Sequence, residues 1–387
     1  MIGFSSPTKD VKAKSLKTKL LRHLVTGFSL NDVVKSLSSE SIQLFLDMFS
    51  MNVFLPYPFI QKRSLNDTHD SIQNAAWPHI SLVYEAFLNS FVCPSVNHFS
   101  FSFINSLINN LISPDDRERN IVKNITVQLF HKFHSTKEQI QQSIHKHFFN
   151  QKCSSELIQV YFLIVNEFSI PLSSEKIQKF HNLILPLHSL NNFTSYSRDL
   201  TQIIIRYIAK ELSLLDLTLN YLFQHWPITN LIKTQRFLDE IEEIMITFEP
   251  QIKTQYVIKF FNQIANCCKL ESSDLIFSAL DILQNRELSG FIKNNSNIIY
   301  NHLVIRLNEL SKNSWDEDVQ DNAKYVLELL KILDESAYKK AIEIQKFNKV
   351  KKINSDEICK SNWKKIFDVA KSTNLEFSDS KFSTLPF

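Results

Sequence analysis

Glycine is almost missing from this chain of 387 residues, which has only Gly3, Gly27 and Gly290. A phosphate-cradling loop needs several glycines in close succession. That class of nucleotide site is therefore excluded, together with the Gly-dependent turns of most α/β enzymes. Cysteine is also scarce. Cys93, Cys153, Cys267, Cys268 and Cys359 show no C-x-x-C spacing, and the adjacent pair Cys267-Cys268 does not clamp a metal from a helix. Buried, reduced thiols of an intracellular protein are the expectation. An excess of one charge is absent too. A net charge of +3, from 43 basic and 40 acidic residues, creates no strong field for nucleic acid. The most apolar run, Leu157 to Leu172, is interrupted by Gln159, Asn166 and Glu167 and is too short and polar to span a bilayer. No signal peptide is expected, and Met1-Ile2-Gly3 lacks the glycine at the second position that myristoylation requires. Sequons such as Asn192-Phe193-Thr194 are read as chance matches.

What the chain does have is phenylalanine, 31 of them, with many Leu, Ile, Asn, Ser and Lys. Long apolar residues with little glycine suit helices joined by short Asn/Ser loops. Helical periodicity recurs from about Ser15 to Val350. It is clearest at Phe237 to Phe248, where Phe237, Leu238, Ile241, Ile244, Met245 and Phe248 share one face and Asp239, Glu240, Glu242 and Glu243 cover the other. Pro250 is expected to mark the end of that helix. Pro56, Pro58, Pro114, Pro171, Pro186 and Pro227 fall at further expected junctions. This punctuation predicts an all-α fold, an elongated superhelical solenoid of HEAT-like helix pairs with about 40–47 residues per repeat. About eight repeats would fill residues 15–370, between a flexible N-terminus at 1–14 and a flexible tail at 371–387. The basic stretch Lys339 to Lys352 reads as a solvated helix face, with nuclear import or an anionic surface as the other reading.

Candidates for chemistry are few. His131 and His134 share a helix face but have no carboxylate or thiol at a supporting spacing, and His145 and His147 point to different faces. Glu240, Glu242 and Glu243 lie on an expected outward face with no accompanying nucleophile. No G-x-S-x-G, H-E-x-x-H or kinase motif occurs. The chain is read as a non-enzyme with no metal and no cofactor.

A set of motifs in order carries a resemblance. Trp77-Pro78 opens a helix with an apolar stripe. Asp116-Arg117-Glu118-Arg119, Phe168-Ser169-Ile170-Pro171-Leu172, Leu185-Pro186-Leu187-His188 and His225-Trp226-Pro227-Ile228-Thr229 follow. Phe237 to Ile244 with Glu249-Pro250, then Gln263-Ile264-Ala265-Asn266-Cys267 and Trp363-Lys364-Lys365-Ile366, complete the series. In order and spacing, from about residue 50 to 370, these resemble the B-prime family of regulatory subunits of type 2A protein phosphatase. The resemblance implies a non-catalytic solenoid that docks on the phosphatase scaffold subunit and catalytic subunit. It also implies recruitment of substrate proteins through a groove reading a short Leu-x-x-Ile-x-Glu motif. Such a protein acts in the cytoplasm or the nucleus. The alternative is a HEAT-type interaction or transport scaffold unrelated to phosphatase.

Carrying the groove over residue by residue gives a mixed set. The family's His-Arg-x-Tyr becomes Val127-Gln128-Leu129-Phe130, so the aromatic persists as Phe130 while the His and Arg are lost. A family Arg becomes Lys137, which keeps the charge without the bidentate fork. The facing Ile pair becomes Val160 and Ile164, a family Lys becomes Ser173, and a family His becomes Lys176. The apolar half is thus expected to persist on Phe130, Val160 and Ile164, and the acid-reading half to reduce to Lys137 and Lys176. Each lost charge-assisted hydrogen bond costs roughly 1.5–3 kcal/mol, so two or three losses weaken binding by more than about a hundredfold. The other reading of Val160 and Ile164 is ordinary core, and of the two lysines solvated surface.

Overall fold

The computed structural model describes residues 10–54, 74–91, 99–270 and 272–373. Pro56, Pro58 and Cys93 lie outside them. The chain divides into two compact units, Met1–Tyr221 and Leu222–Phe387. Among the described residues the fold is all-α. The first unit carries α1 (Val11–Ser29), α2 (Asn31–Ser36), α3 (Ser39–Val53), α4 (Trp77–Ser90), α5 (Phe101–Asn109), α6 (Asp116–Lys132), α7 (Thr136–Phe149), α8 (Ser155–Asn166), α9 (Ser174–Lys179) and α10 (Ser197–Lys210). The boundary falls inside α11 (Ser213–Gln224). The second unit carries α12 (Leu231–Thr247), α13 (Thr254–Cys267), α14 (Ser273–Gln284), α15 (Ser289–Asn294), α16 (Ser296–Asn313), α17 (Glu317–Leu333) and α18 (Glu335–Thr373). Helix α1 takes in residues 11–14, which the sequence assigned to a loose end.

Stacking of helix pairs sets the architecture. In the first unit α5 packs on α7, while α6 packs on α8 and α8 on α10. In the second, α12 packs on α14 and α14 on α17, while α13 packs on α16 and α16 on α18. Each row joins equivalent helices of successive pairs, the arrangement of a helical-repeat solenoid. Side chains stitch the rows at a recurring offset. In the first unit Lys123 Nζ donates to Gln159 Oε1 across 36 residues, Arg119 Nε donates to Glu156 Oε2 across 37, and Ser155 Oγ donates to Asp199 across 44. In the second, Gln235 donates to Ser278 and Asn285 to Glu242, each across 43 residues, and Gln284 donates to Asn322 across 38. One helix pair therefore takes about 36–44 residues.

Hydroxyl and Asx side chains start many of these helices. Ser38, Ser100, Asp115, Ser154, Ser173, Asn230 and Asp316 each accept a first-turn N–H. These caps satisfy donors that a helix start leaves open, and they explain a chain rich in Ser and Asn. At the other ends, α7 terminates without glycine. Gln151 sits at φ 56, with its N–H on Phe148 O and the Lys152 N–H on His147 O. A β-carbon in that left-handed position is strained, and glycine is the residue that relieves it. Gln151→Gly is expected to stabilise the first unit by about 0.5–1 kcal/mol, measured as a rise in the urea midpoint, after the added chain entropy of glycine is offset.

Phenylalanine fills the core of the first unit. Phe49 is fully buried, and its ring lies 4.4 Å from Phe87, 5.6 Å from Phe54 and Tyr84, and 5.7 Å from Phe103. The paired motifs Trp77-Pro78 and Arg117-Glu118-Arg119 meet beside it. The Arg117 guanidinium lies 5.0 Å over the Trp77 ring and grips Asp115 with two hydrogen bonds of 3.0 and 2.7 Å. Burial alone would raise the Asp115 carboxyl, but hydrogen bonds from Arg117 and from the Asn74 N–H hold it below the usual range. Glu118 turns inward, accepting from Tyr84 at 2.8 Å and from Ser113 at 2.7 Å. Arg119 ties Ser113 O to Glu156. The motif is a polar staple between helices.

Two sequence expectations need correction here. Glu240 is buried, and Glu242 accepts from Asn285 at 2.7 Å, so these acids do not form an outward face. An amphipathic stripe accounts for one packed side of a helix, whereas a helix inside a stacked array is packed on more than one. Among the cysteines, Cys153, Cys267 and Cys268 are buried, and burial pushes the Cys267 thiol up to about 11 and that of Cys268 up to about 12. Cys359, however, is exposed on α18. Helix α12 ends at Thr247, and Pro250 sits in the one-turn 3-10 helix that follows. In the basic stretch, Lys339 pairs with Glu335 at 2.7 Å on an exposed surface.

Candidate functional site

The first unit holds a cleft of about 380 Å³ where the C-terminal ends of α6 and α8 approach the starts of α7 and α9. The turn from α6 to α7 sets one wall. The buried Thr136 hydroxyl donates to Phe133 O at 2.8 Å with a longer contact to Leu129 O, and this puts Lys137 and Glu138 at the rim. The opposite wall is the end of α8. There Glu167 is the C-cap, and Lys210 holds the segment beyond it by donating to Phe168 O at 2.6 Å. Ser173 then accepts from the Lys176 N–H and starts α9, which brings Lys176 to the mouth.

Four of the sequence-derived residues meet at this cleft: Phe130, Lys137, Ile164 and Lys176. Phe130 and Ile164 are buried with Phe168 beside them, and they form an apolar floor. The cations are held over rings, Lys137 Nζ 4.6 Å from the Phe130 centroid and Lys176 Nζ 4.2 Å from that of Phe168. The other four lie elsewhere. Val160 is fully buried and belongs to the core, Val127 is half-buried, Gln128 is exposed, and Ser173 is a helix cap. Reading along one helix cannot separate the turn that faces a cleft from the next turn that faces the core.

Sequence reasoning missed Glu167 as a site residue. Its carboxylate accepts from Lys137 Nζ at 2.7 and 2.8 Å, so the cation at the rim is already paired. In the sequence it registered only as a break in an apolar run. The partners are 30 residues apart, and no local signal links them. His134, considered with His131 as a metal pair, lines the cleft, whereas His131 lies against the Phe130 ring. Among the described residues no three His, Cys, Asp or Glu side chains converge to hold a metal, and no helix is long and apolar enough to cross a membrane.

Stacked helix pairs, a cleft with an apolar floor and a charged rim define a helical-repeat protein with a binding surface. Comparison with known proteins narrows the class. The chain belongs to the B56 family of protein phosphatase 2A regulatory proteins, whose model matches residues 1–370. Members of this family are regulatory components of the phosphatase and not its catalytic one. The chain is 26% identical over 386 residues to the B' eta isoform of the 59 kDa phosphatase 2A regulatory subunit from Arabidopsis thaliana, covering 95% of this chain and 75% of that protein. It is 25% identical over 404 residues to the delta 1 isoform of the 56 kDa regulatory subunit from Schizosaccharomyces pombe, covering 100% of this chain and 73% of the relative. With the alpha isoform of the human 56 kDa regulatory subunit it shares 26% identity over 406 residues, 99% of this chain and 81% of the relative.

Proposed function

We propose that this chain is the substrate-targeting subunit of a type 2A serine/threonine phosphatase heterotrimer. It binds the scaffold and catalytic subunits and recruits substrates through the cleft between α6–α7 and α8–α9. The observation that carries this reading is the family match over residues 1–370, with the cleft set among the same ordered motifs. The contribution to catalysis is positional. A substrate tethered near the partner's active site reacts at an effective concentration that linker geometry sets, and the metal and the bond-breaking groups belong to the partner. An apolar floor of Phe130, Ile164 and Phe168 suits the two apolar side chains of a Leu-x-x-Ile-x-Glu-like segment, and Lys137 and Lys176 stand where acidic flanks would lie. On this reading the protein works in the cytoplasm or the nucleus.

The test is reconstitution of the purified full chain with cognate scaffold and catalytic subunits, followed by size-exclusion chromatography. The expected result is one peak containing all three at 1:1:1. Elution of the chain apart from both partners would overturn the proposal and leave a helical-repeat scaffold without phosphatase partners.

A further inference from the structure

Resting on the cleft reading above, the geometry points to Glu167 as a specificity-determining residue that occupies the seat a peptide carboxylate would take on Lys137. Glu167 approaches Lys137 Nζ with both oxygens, at 2.7 and 2.8 Å, across the mouth of the cleft. The ammonium also lies over the Phe130 ring, so floor and rim hold it in one place. A second acid, Glu138, lines the same rim. An incoming carboxylate therefore has to displace Glu167 from the lysine, and it meets two like charges as it arrives. A neutral side chain at that position meets neither obstacle. Beneath it, Phe130, Ile164 and Phe168 offer the same apolar contact to either kind of peptide.

The occupant that fits is an extended segment with two apolar anchors followed by an uncharged hydrogen-bonding residue such as Gln. Glu167 is half-exposed, so its competition is that of a solvated ion pair. Removing it is worth about a fivefold change in affinity and not several orders of magnitude. Lys176 is the remaining cation at the mouth, where it is held over the Phe168 ring.

The experiment is fluorescence polarisation with two labelled peptides, identical except for Glu or Gln at the last position of Leu-x-x-Ile-x-Glu. Each is titrated with the full chain, with Glu167→Gln, and with the double variant Lys137→Gln/Glu167→Gln. The wild-type chain is expected to bind the Gln peptide up to about fivefold more tightly than the acidic one. Glu167→Gln is expected to bind the acidic peptide about fivefold more tightly, with the Gln peptide unchanged. The double variant is expected to lose that gain, which a general effect on folding would not reproduce. A wild-type preference for the acidic peptide, or an equal effect of Glu167→Gln on both peptides, would overturn the assignment while leaving the cleft as a peptide site. Failure of all three proteins to bind either peptide would remove the cleft reading and this inference with it. Complex formation on the sizing column is a separate result.

Discussion

Glu118→Ala is expected to destabilise the first unit by about 3 kcal/mol, because it leaves two buried hydroxyls without an acceptor and opens a small cavity. Tyr84 and Ser113 both donate to this carboxylate, and the Asn110 amide donates to Tyr84 in turn, so one side chain holds the network together. Glu118→Gln keeps the shape and is expected to cost less, but it changes how stability depends on pH. Burial pushes the Glu118 carboxyl up to about 7 from its ordinary 4.5. A raised acid is stabilising while both states hold the proton. That contribution is full below about pH 4.5 and is lost as the pH rises through about 7.

Two histidines work in the opposite direction. Burial, with Lys179 near His145 and with Lys152 and Lys146 near His147, lowers each from 6.5 to about 4. A depressed histidine stabilises above its ordinary value, and the effect is lost as the pH falls from about 6.5 towards 4. In the wild-type chain the two effects oppose each other over the shared range. Glu118→Gln removes the falling component. Its urea midpoint is therefore expected to climb more steeply than that of wild type between about pH 4.5 and 7. Parallel profiles for the two proteins would show that Glu118 does not titrate differently in the folded state.

Phe49→Ala is expected to have the larger effect, about 3–5 kcal/mol, the range for deleting a fully buried aromatic side chain. Phe49 is 0% exposed and in ring contact with Phe54 at the end of its own helix, with Tyr84 and Phe87 of α4, and with Phe103 of α5. Neighbours of that size cannot collapse into the space without losing their own edge contacts. Phe49→Leu keeps much of the volume and is expected to cost less than half as much. Unfolding followed by tryptophan fluorescence reads both variants, since Trp77 packs against Tyr84 beside the cluster. Equal midpoints for Phe49→Ala and wild type would contradict the packing described here.

How much of this was legible in advance differs between fold and site. Apolar spacing of Phe237, Ile241, Ile244 and Phe248 identified one packed face of α12, and all four are buried. The same spacing gave no warning that Glu240 is buried too, because periodicity along one helix does not record what its neighbours in the stack cover. At the cleft, the resemblance singled out Phe130, Lys137, Ile164 and Lys176, and the fold brings these together. It also singled out Val160 and Ser173, which the structure uses as core and as a helix cap.

By itself, the sequence determined that this protein is built from helices, what kind of repeat it uses and which family it resembles. Helix periodicity, proline punctuation and near-absence of glycine are local properties, and a long run of them in order is hard to produce any other way. Only the tertiary structure decided which charges are available. Lys137 finds Glu167 after a 30-residue excursion through α7 and α8, and Glu118 turns into the core to meet Tyr84, 34 residues earlier. Electrostatic pairing acts across space, and the spacing of residues along the chain does not encode it.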